Sequence, residues 1–212
     1  MPPDVVVVDY GMGNVASVLR AVAACGAKPA LSGDRQSVAT ASRLILPGVG
    51  AFRDGMDELR RRGLIEPILA FVGTRRPFLG ICLGMQMMLS VSEEFGPVSG
   101  LGLIGGNVVA IPDRGRDGQP HKVPHVGWNR IIPRNGCAGG LLKGVSPDAS
   151  AYFVHSYAAA PDSPGSIVAD CDYDGCRIPA VIRSGALHGC QFHPEKSGPT
   201  GLRILHNFLA FS

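Results

Sequence analysis

Phe78-Leu79-Gly80-Ile81-Cys82-Leu83-Gly84-Met85-Gln86 decides how the chain is read. Phe78 to Ile81 are apolar and stand behind the breaker Pro77, which predicts the end of a buried strand. Met85 to Leu89 are good helix formers. Cys82 sits between, with a glycine two residues before it and two after. Flanking glycines permit the sharp strand-to-helix turn that lifts a side chain off a sheet. The N–H groups and dipole of a helix N-terminus favour a thiolate over a thiol. Two readings follow: a nucleophilic cysteine on an elbow, or a buried cysteine in a glycine-punctuated turn.

Upstream, Val5 to Val8 is a short β-branched run of the kind buried on both faces of a parallel sheet. Asp9-Tyr10-Gly11-Met12-Gly13-Asn14 follows, then a helical pattern from Val15 to Cys25. Ala27 to Leu31 and Arg43 to Leu46 predict further strands, the latter stopped by Pro47-Gly48-Val49-Gly50. Phe52 to Arg62 and Leu64 to Val72 read as helices, the second with an internal start at Pro67. This alternation predicts an α/β fold with a mainly parallel, doubly wound sheet. After Glu94 the segments shorten. Val108 to Ile111, Val126 to Ile132, Ala151 to Val154, Ile167 to Asp170 and Pro179 to Ile182 predict the strands of a hairpin-rich half. Pro112 to Lys122 reads as an exposed loop, Leu187 to Phe192 as a strand, and Thr200 to Phe211 as a closing helix. No repeat or linker interrupts the pattern, so a single domain over 1–212 is expected.

The 212 residues are 45% hydrophobic, enough for a full core without staples. A formal net charge of +3 gives no reason to expect nucleic acid or an anionic membrane as partner. No apolar run approaches the roughly eighteen residues a bilayer requires. Met1-Pro2-Pro3-Asp4 offers no basic leader, and a cytoplasmic location is expected. The six cysteines are scattered without a Cys-x-x-Cys pair and read as free thiols. No metal site and no cofactor are expected.

A cysteine nucleophile needs a base within reach and a third group to orient that base. His193-Pro194-Glu195 supplies both, because residues two apart in extended chain point to one side. A lone His-x-Glu is more often a surface pair; beside an elbow cysteine it reads as base and orienting acid. The glycine-rich Pro47-Gly48-Val49-Gly50 can bring backbone N–H groups to a developing oxyanion, with the N–H of Leu83 as second donor. A rival reading rests on Gly11-Met12-Gly13-Asn14-Val15-Ala16, which satisfies G-x-G-x-x-A after a first strand, with Asp34 near the place of a ribose-binding acid. That nucleotide-binding module leaves Cys82, His193 and Glu195 without a role. His121, His125, His155, His188 and His206 show no metal-ligand spacing and read as structural or solvent-facing.

Gly80-Ile81-Cys82-Leu83-Gly84-Met85-Gln86 with Gln191-Phe192-His193-Pro194-Glu195 resembles the class I glutamine amidotransferases. Asp9 to Asn14, Leu46-Pro47-Gly48-Val49-Gly50-Ala51-Phe52, Pro124-His125-Val126-Gly127-Trp128-Asn129, Tyr152 to Tyr157 and His193 to Ser197 are similar to the glutaminase subunits of imidazole glycerol phosphate synthase. The resemblance implies a flavodoxin-like fold and hydrolysis of glutamine by Cys82, His193 and Glu195. It implies substrate contacts from Gly50, Gln86, Glu94, Ser156 and Tyr157, and an oxyanion hole from the Val49 and Leu83 N–H groups. It further implies a (β/α)8-barrel cyclase as partner in a heterodimer, fed with ammonia for histidine biosynthesis and contacted near Asn14, Trp128, Tyr152 and Lys196. Trp128, the only tryptophan, reads equally as an interface anchor or a core residue. A glutaminase serving anthranilate or pyridoxal phosphate synthesis would share the triad, but not the Gly11 to Asn14 and Pro124 to Asn129 stretches.

Overall fold

A computed structural model describes residues 3–134 and 139–211 of the chain. The first half alternates as expected: β1 (Val5–Val8), α1 (Val15–Ala24), β2 (Pro29–Ser32), α2 (Arg35–Thr40), β3 (Leu44–Leu46), α3 (Phe52–Arg61), α4 (Ile65–Gly73), β4 (Phe78–Ile81) and α5 (Leu83–Gln86). Then come β5 (Val91–Ser92), β6 (Val98–Ser99), β7 (Gly106–Ala110), β8 (His125–Arg130), β9 (Ile132–Pro133), β10 (Ser150–His155) and β11 (Tyr157–Pro161). Strands β12 (Ile167–Tyr173), β13 (Cys176–Ser184) and β14 (Leu187–Cys190) precede the last helix, α6 (Gly198–Leu209).

The main sheet has the order β2-β1-β3-β4-β14-β13-β12-β9. Its first five strands pair in parallel and its last three run antiparallel. With β14 as fifth strand, the parallel part follows the flavodoxin-like order 2-1-3-4-5. Strand alternation divides the apolar residues between two cores. Val5 and Val7 face α1 and α6, through Val18, Val22, Ile204, Leu205 and Phe208. Val6 and Val8 face α2, α3 and α4, through Val38, Phe52, Met56, Leu59, Ile68 and Phe71. Two smaller sheets stand over the carboxyl ends of the parallel strands: the hairpin-like β10-β8 pair and the four-stranded β11-β7-β5-β6. No helix among the described residues is long and apolar enough to cross a membrane.

Three expectations need correcting. Helix α4 begins at Ile65, not at Pro67; the proline lies in its first turn, where a missing N–H breaks no intrahelical bond. The strand expected over Leu187 to Phe192 ends at Cys190, because the His193 N–H leaves the main sheet to reach the Tyr152 carbonyl at 2.9 Å. The helix expected through Leu89 stops at Gln86 after one turn. There the loop 101–104 takes the helix's continuation away: Leu101, Leu103 and Ile104 N–H groups bond the carbonyls of Met87 and Met88. Tertiary pairing overrides the helix propensity of the two methionines.

Helix α6 presses on the turn that follows His193. A Cβ on Gly201 would stand 1.8 Å from the carbonyl oxygen of Pro194, which cannot move without moving Glu195. Gly201→Ala should therefore lower stability by about 1–3 kcal/mol in urea unfolding, as overpacking does. An unchanged midpoint would show that α6 does not fix this turn.

Candidate active site

Strand β4 delivers Cys82 to the carboxyl edge of the sheet in a backbone conformation, φ 53° and ψ −112°, rare for any residue but glycine. The Cys82 N–H donates to the Cys190 carbonyl at 2.8 Å, and the Cys82 carbonyl accepts from the Gln86 N–H at 3.1 Å. The flanking glycines do not themselves take the strained conformation; they give clearance. Gly80 faces Gly189 across the β4–β14 pairing. A Cβ on Gly80 would lie 2.7 Å from Gly84 O and Met85 N, one on Gly189 2.4 Å from Met85 Cγ, and one on Gly84 1.8 Å from Leu46 O. The glycines thus let α5 lie directly on the sheet. A four-residue helix carries little dipole, so that part of the sequence argument for a thiolate lapses.

Beside the elbow, β14 runs parallel to β4 and its continuation carries His193 and Glu195. His193 Nδ1 and Glu195 Oε1 are 2.8 Å apart, with side chains only 2% and 1% exposed. His193 Nε2 and Glu195 Oε2 are buried and without a hydrogen-bond partner among the described residues. Burial alone would push the His193 ring down; its nearness to Cys82, its hydrogen bond to Glu195 and the charges of both lift it instead to about 9. Nε2 thus stands near the Cys82 sulfur without a strict hydrogen bond, a contact of the kind that tightens once substrate is bound. Ser197, which sequence reading left without a role, locks the segment. Its hydroxyl donates to the His193 carbonyl at 2.6 Å and accepts from the Tyr152 N–H at 2.9 Å.

Cys82, though only 6% exposed, opens onto a pocket of about 300 Å³. Val49, Gly50, Leu83, Gln86, Glu94, Ser156 and Tyr157, all singled out in the sequence, line it together with Pro124, Val154 and His155. The volume suits a ligand of amino-acid size. Glu94 Oε2 accepts the Phe52 N–H at 2.6 Å, which holds a carboxylate at the pocket wall. Leu83, first in α5, has no intrahelical acceptor for its N–H. The Pro47–Gly50 loop is anchored by Tyr10, whose hydroxyl donates to Pro47 O at 2.8 Å. A Cβ on Gly48 would be 2.5 Å from that hydroxyl, whereas Gly50 has φ +99°.

The histidines behind the pocket form one polar chain. His155 Nδ1 bonds the Tyr157 carbonyl at 2.9 Å, His155 Nε2 bonds His125 Nδ1 at 3.0 Å, and His125 Nε2 bonds Asn129 Nδ2 at 2.8 Å. Burial pushes His155 down to about 3 and His125 to about 4, so both are neutral rings. Asp34 is the N-cap of α2, accepting from the Ser37 N–H at 2.8 Å, and the Arg62 guanidinium lies against Gly11. The pieces of the nucleotide motif thus have other structural uses.

Of the residues set apart as partner contacts, Trp128 is 56% exposed and is no core residue. It pairs with Tyr152 across β8 and β10, the rings 6.2 Å apart edge to face, and Lys196 Nζ lies 6.0 Å above the Tyr152 ring. Exposed Val126 continues this patch along β8. Asn14 stands at the start of α1, the helix that packs against the turn carrying Lys196.

Comparison with known proteins bears on this geometry. The family model described as "Glutamine amidotransferase class-I" matches residues 6–211. Imidazole glycerol phosphate synthase subunit HisH 1 of Legionella pneumophila (strain Lens) is 50% identical over 206 residues, covering 96% of this chain and 97% of that one. The HisH subunit of Geobacillus kaustophilus is 46% identical, covering 97% and 96%. Among solved structures, PurLQS from Thermotoga maritima superposes with a TM-score of 0.71 at 19% identity, covering 99% of this chain and 98% of the other. That last likeness concerns the fold alone.

Since Glu195 helps to hold the proton on His193, Glu195→Gln should move the ring's titration midpoint well below 9. NMR of ring-labelled histidine reads this directly. A midpoint that stays in place would assign the raised affinity to Cys82 alone.

Proposed function

The chain belongs to the class I glutamine amidotransferases and, within them, to the HisH glutaminase subunits of imidazole glycerol phosphate synthase, and from that footing we propose how its residues work. Cys82 attacks the side-chain carboxamide of glutamine. A carbon–sulfur bond forms and charge moves to oxygen, where the N–H groups of Leu83 and Val49 receive it. As the intermediate collapses the carbon–nitrogen bond breaks, and His193 gives its proton to the departing ammonia. The neutral ring then takes a proton from water, whose oxygen attacks the thioester. Glutamate leaves, and thiolate and imidazolium are restored. Glutamine and water become glutamate and ammonia. Glu195 orients the ring and stabilises its positive form throughout.

The observation that carries this reading is a buried His193–Glu195 pair beside a strained, pocket-facing cysteine. Gly50, Gln86, Ser156 and Tyr157 hold the substrate's polar groups, and the Glu94 carboxylate matches the α-ammonium of an amino acid. The Val49 N–H turns toward the pocket only in the assembled enzyme, the freedom lying beyond the point where Tyr10 and Gly48 anchor the loop. The isolated subunit is therefore slow.

The partner is a (β/α)8-barrel cyclase that receives the ammonia and uses it to complete an imidazole ring in histidine biosynthesis, in the cytoplasm. It docks on the face of Trp128, Tyr152 and Lys196, with Asn14 at the margin. That face adjoins the base: the Tyr152 backbone bonds both the His193 N–H and the Ser197 hydroxyl. An exposed tryptophan packed on a half-buried tyrosine is the usual make-up of an interface anchor.

Cys82→Ala in the complex should abolish glutamine-dependent synthesis by at least about a thousandfold while added ammonium salts still support it. Loss of both activities would mean that the thiol serves the fold or the docking rather than glutamine cleavage. Trp128→Ala should leave the thermal midpoint near its original value and weaken binding of the cyclase by about 2 kcal/mol or more, measured by calorimetry. Undiminished affinity would move the docking face elsewhere.

A further inference from the structure

Gln191 is wholly buried two residues before His193, and it does not line the substrate pocket. Its carboxamide has only one orientation open to it. The Tyr157 carbonyl oxygen can only accept, so the Gln86 atom 2.8 Å from it must be the amide nitrogen. That same nitrogen lies 3.1 Å from the Gln191 side chain, where a second N–H2 group would repel it; the facing atom is therefore Oε1. The Gln191 Nε2 is left, and it stands 3.7 Å from the Cys82 sulfur, within reach of an N–H···S bond. The same Tyr157 carbonyl also accepts from His155 Nδ1 at 2.9 Å. One carbonyl thus sets the direction of a relay that ends in a donor aimed at the nucleophile.

Resting on the proposed glutaminase chemistry, we propose that Gln191 is a further catalytic residue, whose side-chain N–H donates to the Cys82 sulfur and keeps it turned toward His193 as a thiolate. The other polar groups near the sulfur are the Val154 carbonyl, 3.9 Å away and able to accept from the thiol, the Tyr10 hydroxyl, the Cys190 thiol and the His193–Glu195 pair. Of these only the imidazolium brings positive charge. A neutral donor adds stabilisation without a second cation that would compete for the Glu195 carboxylate. The same N–H serves twice in a turnover, first on the resting thiolate and again when the sulfur leaves the thioester.

Gln191→Met keeps the volume and removes the donor. Assembled with the cyclase, it should show kcat for glutamine lowered about three- to tenfold, a loss larger than any change in KM that follows from the Gln86 amide losing its acceptor. Alkylation of Cys82 by iodoacetamide at neutral pH, followed on the Cys82 peptide by mass spectrometry in the isolated chain, should slow by a similar factor. A folded variant that keeps both wild-type rates, or that loses only KM, overturns the assignment. Should the methionine variant not fold, Gln191→Leu is smaller, neutral and likewise without a donor; the same losses support the proposal and wild-type rates refute it. Glutaminase activity surviving in Cys82→Ala would instead defeat the underlying reading, and would do so whatever Gln191 does.

Discussion

Everything at this site depends on the parallel pairing of β4 with β14. Leu187 to Cys190 lie in register with Phe78 to Ile81, and the ladder's last bond runs from the Cys82 N–H to the Cys190 carbonyl. That bond ends two strands at one edge although the residues they deliver are distant in sequence; Gln191 and Cys82 are 109 positions apart. A slip of one residue would turn the side chains of β14 to the opposite core and carry His193 away from the sulfur. The facing glycines, Gly80 and Gly189, are what let α5 settle over this pair of strands. The strained Cys82 is held because strand, helix and neighbouring carbonyl all determine its position together.

The electrostatics follow from that placement. A buried histidine would ordinarily be neutral, as His125 and His155 are. His193 is as deeply placed yet raised, because a carboxylate stands behind it and a thiol before it. Of the four buried orphaned atoms among the described residues, two, His193 Nε2 and Glu195 Oε2, belong to this one pair; the other two, His121 Nδ1 and His188 Nδ1, are on residues that do not line the pocket. On the far side, the Tyr152 backbone and the Ser197 hydroxyl tie the ring's own segment to β10, which pairs with the strand that carries the exposed Trp128. The Trp128–Tyr152 face and the His193 segment are therefore one continuous piece of structure.

Much of this was legible in the residues. Val5 to Val8, Leu44 to Leu46 and Phe78 to Ile81 are apolar on both faces and became central parallel strands. The elbow at the glycine-flanked cysteine and the His193–Glu195 pair formed as expected, because short-range geometry suffices for each. What escaped was set by long-range contacts. Tyr157 to Pro161 contains three alanines and no β-branched residue, and it is a strand only because β7 lies beside it. Helix α5 was cut short by carbonyls engaged from the loop 101–104. Helix α2 is six residues long with one buried side chain, too little for a periodic signal, and its N-cap Asp34 had been weighed only as a ribose-binding acid. The glycines around Cys82 looked like conformational licence and proved to be clearance. Cys137 lies outside the described residues, and nothing in the sequence gave it a role.

The central claim is that glutamine is cleaved through a bond to the Cys82 sulfur. It is tested most directly by mixing the subunit, assembled with its cyclase, with glutamine, quenching in acid during turnover, and measuring the mass of the Cys82 peptide. The account predicts a glutamyl adduct on that peptide, which disappears as glutamine is exhausted. Glutamate production with no adduct at Cys82 at any quench time, or with the adduct on another residue, would contradict it.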